Sequence, residues 1–293
     1  MTSEKTSADR VVEKKIVPMI EKIAQKKRVR EKMARVKHKI MIMSGKGGVG
    51  KSTITANLAA ALAKRGYRVG ILDSDIHGPS IPKILGIQGK HPQKAETGIT
   101  PLTTNHGVKV ISMDLFLSSS EDPLIWRGPL KMKAIRQLLS DVDWGELDYL
   151  LVDLPPGTGD EPINIAQLMP EMDGALIITA PSALSQHVVR KAVTMAQRMR
   201  IPIVGIIENM SGFVCPNCGE KHSLLGSGGG EQISKEMNIR HLGKIPIDPK
   251  IAENTDQGTP FALSNPESEA AKIFNEIVEK IRKTVENNIT KVK

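Results

Sequence analysis

This chain of 293 residues predicts an α/β fold: a mostly parallel, twisted sheet with helices on both faces. Three observations predict it. Short, nearly continuous apolar runs recur along the chain. Helical stretches separate most of them. One run leads through a glycine-rich loop directly into a helix. Strands buried on both faces read as unbroken apolar runs, and strands alternating with helices are the pattern of βαβ units. Aromatic residues make up 3% of the chain, so the core must be built from Ile, Val, Leu, Ala and Met.

The runs are KIMIM (39–43), RVGILD (68–73), VKVISM (108–113), DYLLVD (148–153), GALIIT (174–179), IPIVGIIEN (201–209) and HLGKI (241–245). Helical stretches lie at 52–65, 129–140, 184–199 and 228–237. Right-handed crossovers then bring the strand C-terminal ends to one edge, where ligands bind. Gly, Pro and Thr break the rhythm over 86–107, which reads as a loop or small hairpin. A last helix, roughly 267–286, puts Ala270, Phe274, Ile277, Val278, Ile281 and Val285 on one face. That face suits packing on the core, with a membrane-surface helix as the alternative. The chain shows no internal repeat.

The net charge of +9 is unevenly spread. Residues 1–39 hold 13 Lys/Arg and 5 Asp/Glu, a net of +8, so the rest of the chain is nearly neutral. The chain therefore divides into a basic, partly helical N-terminal extension (1–37) and a globular domain (38–293). Pro18 suits the first turn of a helix over 18–36, with Ile20, Ile23, Met33 and Val36 as its apolar contacts. Nucleic acid is expected to engage only this basic arm, if anything. No apolar run approaches the roughly 20 residues that cross a bilayer, and the start has no signal-like apolar core. A soluble, cytoplasmic protein without stable membrane association is the expectation.

SGKGGVGKST (44–53) follows the first strand and opens a helix, the context in which G-x-x-x-x-G-K-[ST] is a phosphate-binding loop. Gly45, Gly47, Gly48 and Gly50 allow tight backbone turns, so that the N–H groups from Gly45 through Val49 to Thr53 converge on phosphate oxygens at a helix N-terminus. Lys51 is placed for the β- and γ-phosphates and the Ser52 hydroxyl for Mg²⁺. ATP with Mg²⁺ is the expected ligand pair. Lys46, beside the first loop glycine, is placed to reach outward. In the deviant-Walker ATPases, which this segment resembles, that lysine enters the nucleotide site of a facing protomer, which implies an ATP-dependent homodimer.

Acidic residues at strand ends complete the expected catalytic set. Asp73 and Asp75 stand two positions apart, on one side of an extended strand. Asp75 is the candidate for orienting the attacking water near Mg²⁺, with Asp73 supporting the magnesium shell or the loop. Asp153, ending DYLLVD, fits a Walker B aspartate acting on Mg²⁺ through water, and Gly157 can offer its N–H to the γ-phosphate. Pro155 and Pro156 stiffen that loop. Asn209, Pro246 and Asp248 suit adenine recognition.

Just two cysteines occur, Cys215 and Cys218, in C-P-N-C-G. That spacing forms a metal-binding knuckle with two thiolates, whereas an iron–sulfur cluster or zinc takes four ligands. A two-fold axis through the knuckle would supply the other pair. Three readings stand: a bridging [4Fe–4S] cluster; zinc, held by four thiolates or by Cys215, Cys218 and His222 with an outside ligand; and a thiol–disulfide motif.

MSGKGGVGKST, DSDIHGPSIP, WRGPLKMKAI, DYLLVDLPPGTGD, ENMSGFVCPNCG and GKIPIDP together resemble the Mrp/ApbC family of iron–sulfur cluster carrier ATPases, within the MinD/ParA group of P-loop NTPases. The likeness runs from about residue 38 to the C-terminus. It implies slow ATP hydrolysis, assembly of a labile [4Fe–4S] cluster at a homodimer interface and its transfer to apo iron–sulfur proteins. Carried over residue by residue, Cys215 and Cys218 match the cluster ligands, Lys46 and Lys51 the signature and phosphate lysines, and Asp75 and Asp153 the switch aspartates. Trp126 and Arg127 fall in a family motif, with Arg127 a candidate for coupling nucleotide state to the interface. Many bacterial members add a folded N-terminal domain and eukaryotic relatives a four-cysteine cluster. The arm here carries no cysteine, so no second, stable cluster is expected within the chain. Two other functions remain open: a ParA/MinD-like positioning ATPase on DNA or membrane, and a zinc-bridged dimer that merely holds nucleotide.

Overall fold

Every side chain of the first strand but Lys37 is buried, and the rest of the molecule is arranged around it. The computed structural model describes residues 17–117, 126, 128–169, 171–215 and 217–290. Residues 1–16 of the basic arm, Arg127 and Pro216 lie outside the described residues. In chain order, α1 (Val17–Met33) precedes β1 (Val36–Ser44), α2 (Lys51–Lys64), β2 (Val69–Asp73) and the short α3 (Ile81–Ile84). Then come β3 (Gln93–Ala95), β4 (Gly98–Thr100), β5 (Leu102–Thr103), β6 (Val108–Ser112) and α4 (Gly128–Asp141). β7 (Leu147–Asp153), α5 (Asp160–Leu168), β8 (Gly174–Thr179), α6 (Ala183–Arg198) and β9 (Ile203–Glu208) follow. The chain closes with β10 (Phe213–Val214), β11 (Lys221–His222), α7 (Gly229–Glu236), β12 (His241–Lys244), α8 (Pro249–Asp256), α9 (Phe261–Ser264) and α10 (Glu269–Thr290).

The main sheet has eight strands in the order β12-β9-β8-β1-β7-β2-β6-β5. All its pairings are parallel except β5 with β6. Both faces are covered, as the apolar runs require. Ile40 and Ile42 join Leu58 of α2 and Phe274 of α10 in one core layer. Met41 and Met43, pointing the other way, join Leu139 of α4 and Val193 of α6 in the second. The C-terminal ends of β1, β2, β7, β8 and β9 bring Ser44, Asp73, Asp153, Thr179 and Glu208 to one edge.

Of three expectations, one changes and two hold. In the first helix Ile20 and Ile23 are exposed, at 59% and 58%, while Val29 and Met33 are buried. The helix docks through its C-terminal half, where Lys32 donates to the carbonyls of Asp141 and Val142, and β1 starts at Val36, inside the expected extension. Second, the whole apolar face of α10 is buried in the core. Each large side chain there contributes about 2 kcal/mol by leaving water, so among the described side chains that face packs on the core and not on a membrane surface. No helix among the described residues is long and apolar enough to cross a membrane. Third, 86–107 holds a two-stranded hairpin, β3–β4, and the antiparallel edge strand β5.

Candidate functional site

The phosphate loop is built by β1 stopping at Ser44 and α2 starting at Lys51. Gly48 and Gly50 adopt φ of 76° and 79°, the left-handed region that side chains disfavour. Gly45 serves a different need: a Cβ there would lie 2.7 Å from the Val188 backbone of α6. A Cβ at Gly47 would make only ordinary contact with Pro156, so the four glycines are not equivalent. Val49 is buried, and its carbonyl accepts a 2.9 Å hydrogen bond from Nδ2 of Asn209. The loop and Lys46, Ser52, Thr53, Asp75 and Pro156 line a polar cavity of about 250 Å³. With the N-terminus of α2 opening into it, the cavity suits an anionic phosphate chain.

Beneath the cavity Asp153 is fully buried and saturated with donors. Lys51 Nζ and Ser52 Oγ each lie 2.6 Å from Oδ2, and Thr55 Oγ1 lies 2.6 Å from Oδ1. Thr55 is a site residue that motif reading misses. Its signal is its place one helical turn after Lys51, on the same face. Asp73 pairs with Asp153 across β2 and β7. Burial, then the Asp153 charge, pushes the Asp73 carboxyl up to about 8. Asp73 and Asp75 do not share a role. β2 ends at Asp73, which is buried, whereas Asp75 lies in the following loop and lines the cavity. The Asp75 N–H donates to Asp73 Oδ1 at 3.1 Å, which shapes the turn that follows β2.

The residues around Asp153 fit Mg²⁺. Ser52, Asp75 and Asp153 offer the hard oxygen ligands this cation takes. Gly157 has φ of 98° and donates its N–H to the Ser44 carbonyl at 2.9 Å, not into the cavity. Offering that N–H to a γ-phosphate requires this bond to open.

Asn209, Pro246 and Asp248 line a second cavity of about 390 Å³, which shares Gly50 and Thr53 with the first. A nucleotide lying over Gly50 would put its phosphates in one and its base in the other. Asp248 caps α8, accepting from the Lys250 N–H. Its carboxylate therefore has a local structural partner already.

The cysteines sit on the β10–β11 hairpin. The Cys215 N–H donates to the Glu220 carbonyl and the Gly219 N–H to the Cys215 carbonyl, both at 2.9 Å. Gly219, with φ of 74°, lets the chain double back. The backbone N–H of Cys218, then that of Asn217, lowers the Cys215 thiol below its ordinary range. Cys218 is exposed and Cys215 half-buried. His222 is on β11, but among the described residues no three metal-ligating side chains are gathered into one set. The zinc arrangement of Cys215, Cys218 and His222 is thus not formed. The motif begins no helix, unlike the usual thiol–disulfide site. Trp126 packs on the core.

Comparison with known proteins agrees with this geometry. The chain is 52% identical over 262 residues to the iron–sulfur cluster carrier protein of Methanocaldococcus jannaschii, covering 89% of this chain and 90% of that one. It is 43% identical over 260 residues to the iron–sulfur cluster carrier protein of Aquifex aeolicus, covering 89% of this chain and 71% of that one. Among solved structures, a nucleotide-binding protein from Archaeoglobus fulgidus in complex with ADP superposes with a TM-score of 0.74 at 39% identity, covering 85% and 96% of the two chains. The cell division ATPase MinD of Pyrococcus furiosus gives 0.63 at 26% identity, covering 84% and 98%. Residues 35–282 match the ParA family as the NUBPL iron-transfer P-loop NTPase. On a match of this extent, and on a phosphate loop seated between the buried Asp153 and a two-part cavity, the chain belongs to the ParA family of P-loop ATPases, in its iron-transfer branch.

Proposed function

We propose that this ATPase assembles a labile [4Fe–4S] cluster between two copies of itself and delivers it to apo iron–sulfur proteins. The observation that carries the reading is the Cys215–Cys218 hairpin, with Cys218 exposed, placed a few residues after Asn209 of the cavity wall. One hairpin offers two thiolates and a cluster takes four, so a second copy completes the site. Relatives named as iron–sulfur cluster carriers support the cargo. The same ATPase acting as a positioning device on DNA or membrane would leave the hairpin without a purpose.

In this reading Lys51 holds the β- and γ-phosphates while Ser52 and Asp153, with Asp75, hold Mg²⁺. Mg²⁺ neutralises phosphate charge when bound. Asp75 orients the attacking water from the cavity wall. Asn209, Pro246 and Asp248 receive the adenine. Lys46, for which no ion pair or side-chain hydrogen bond is found among the described residues, reaches the nucleotide of the second copy. The Gly157 N–H leaves Ser44 for the γ-phosphate, so the loop after Asp153 reads the presence of that phosphate.

Anaerobic reconstitution with iron and sulfide tests the reading. Wild type is expected to gain iron and a cluster absorption band that the Cys215→Ala/Cys218→Ala protein lacks. Equal iron uptake by both would sink it. Metal analysis of protein purified without oxygen separates iron from zinc at the same thiolates, and zinc alone would replace the cluster reading with the zinc-bridged dimer.

A further inference from the structure

Glu208 is buried without exposure at the end of β9, and among the described residues it has no cationic partner within ion-pair distance. A buried carboxylate is tolerated only when hydrogen bonds replace its water. Here the donors are the Ser211 hydroxyl, the Gly228 N–H at 2.8 Å and the Gly230 N–H. Two of them belong to the N-terminal turn of α7, where a negative charge is favoured. The Ser211 hydroxyl also lies 3.0 Å from that of Ser227. Glu208 thereby pins the return loop of the cysteine hairpin to the end of its own strand. This explains the glycine run: a Cβ on Gly230 would lie 3.0 Å from Glu208 Cβ, and one on Gly229 would lie 2.6 Å from the Pro181 carbonyl.

The same short segment is bonded to the nucleotide cavity on its other side. Asn209, the next residue, holds the Val49 carbonyl of the phosphate loop. The Ser211 N–H donates to the Ile245 carbonyl at 2.9 Å and the Ile247 N–H to the Gly212 carbonyl at 2.8 Å. Phe213 of the hairpin pairs with Ile247, and Ile247 lies between Pro246 and Asp248 in the cavity wall. The wall that would meet the base and the hairpin that carries the cysteines are thus stitched into one unit, closed at the back by the Glu208 carboxylate.

We propose that Glu208 is the positioning residue that makes this unit rigid, so that nucleotide in the cavity changes the accessibility of Cys215 and Cys218 within a single chain, before a second chain joins. The inference rests on the reading that the two cavities hold nucleotide and that the thiols are the working groups. A static path of bonds is not itself coupling, so the test must read both ends.

The full chain, free of iron and with reduced thiols, is labelled by a maleimide with and without Mg-ADP. ADP fills the base cavity but lacks the γ-phosphate on which Lys46 would act across an interface. Wild type is expected to change its labelling rate about fivefold on ADP binding, at the lower end of ordinary coupling. Glu208→Gln keeps the volume but removes the charge, and its ratio is expected to fall to near one while calorimetry still detects ADP binding. A wild-type ratio of one, or an undiminished ratio in Glu208→Gln, overturns the proposal. If Glu208→Gln does not fold, Ser211→Ala carries the test. It removes one donor and leaves two N–H groups on the carboxylate, so a partial loss is expected and an undiminished ratio is again fatal. Iron is not read in this experiment. A chain that binds no cluster leaves the result standing, and one that binds iron normally while its thiols ignore ADP sinks the coupling alone.

Discussion

Asp73 and Asp153 occupy paired positions at the ends of adjacent parallel strands, and the Lys51 ammonium, 2.6 Å from Asp153, is the cation between them and the phosphate cavity. With its carboxyl raised to about 8, Asp73 holds its proton near neutral pH, which leaves Asp153 and Lys51 as the charged pair. Ser52 and Thr55 complete the donors around Asp153, so its oxygens are directed before nucleotide arrives.

The raised Asp73 carboxyl sets a pH dependence. The Asp73 carboxyl is raised from 3.8 to about 8 in the fold, so between those values the native state holds more of a proton than the unfolded chain. Stability of the nucleotide-free protein is therefore expected to fall as pH rises through that window, by up to about 1.4 kcal/mol per pH unit, and to level off above it. Asp73→Asn should remove this part of the slope. Urea unfolding of both proteins at several pH values checks it, and identical slopes would refute the assignment.

Thr55 is fully buried with its hydroxyl on Asp153. Thr55→Val keeps the shape and leaves Oδ1 short of a donor, which should cost about 1–3 kcal/mol and slow ATP hydrolysis. Thr55→Ser should restore most of both. Unfolding and phosphate-release assays on the pair decide it; a Val variant as stable and active as wild type would remove Thr55 from the site.

The glycines of the loop separate by their surroundings. Gly50→Ala meets both a positive φ and Nδ2 of Asn209, 2.3 Å from the new Cβ. A loss of about 2 kcal/mol or more is expected, together with weakened ATP binding. At Gly47 the nearest atom to a Cβ is Pro156 Cγ at 3.8 Å, so Gly47→Ala should stay within about 0.5 kcal/mol of wild type. Thermal unfolding in the absence of nucleotide ranks the two, and the reverse order would show that the loop geometry is misassigned.

Lys46 separates binding from assembly. It lines the phosphate cavity, and its proposed target is the second copy. Lys46→Gln is expected to keep most of the affinity for ATP and to abolish ATP-dependent dimerisation in sedimentation runs. A variant that still dimerises with ATP would leave the two-chain reading without its lysine.

Much of this was legible in the sequence because it is local. The phosphate loop needs only a strand, a run of glycines and a helix start in succession, so 44–53 reads correctly without any tertiary knowledge. The apolar runs mark strands because burial on both faces leaves no alternation to confuse them, and Asp153 is legible as the polar end of one such run. The cysteine hairpin is likewise set by its own turn residues. The halves of α1 were not separable: Ile20 and Val29 are alike as residues, and only packing against α4 decides that one is exposed and the other buried.

What tertiary structure alone decided concerns residues whose partners are distant in sequence. Thr55 looks like any helical threonine until β7 brings Asp153 against it. Glu208 reads as a polar residue near the end of a strand, and Gly228 to Gly230 as the start of a helix, until folding places the Gly228 and Gly230 N–H groups on its carboxylate. Asp73 and Asp75 read as two residues on one side of a strand until the strand ends at Asp73 and leaves Asp75 in the loop. Local conformation follows from neighbouring residues and is written in their order. The pairing of a buried charge with its donors is chosen by which strands and helices meet, which the order of residues specifies only through the whole fold.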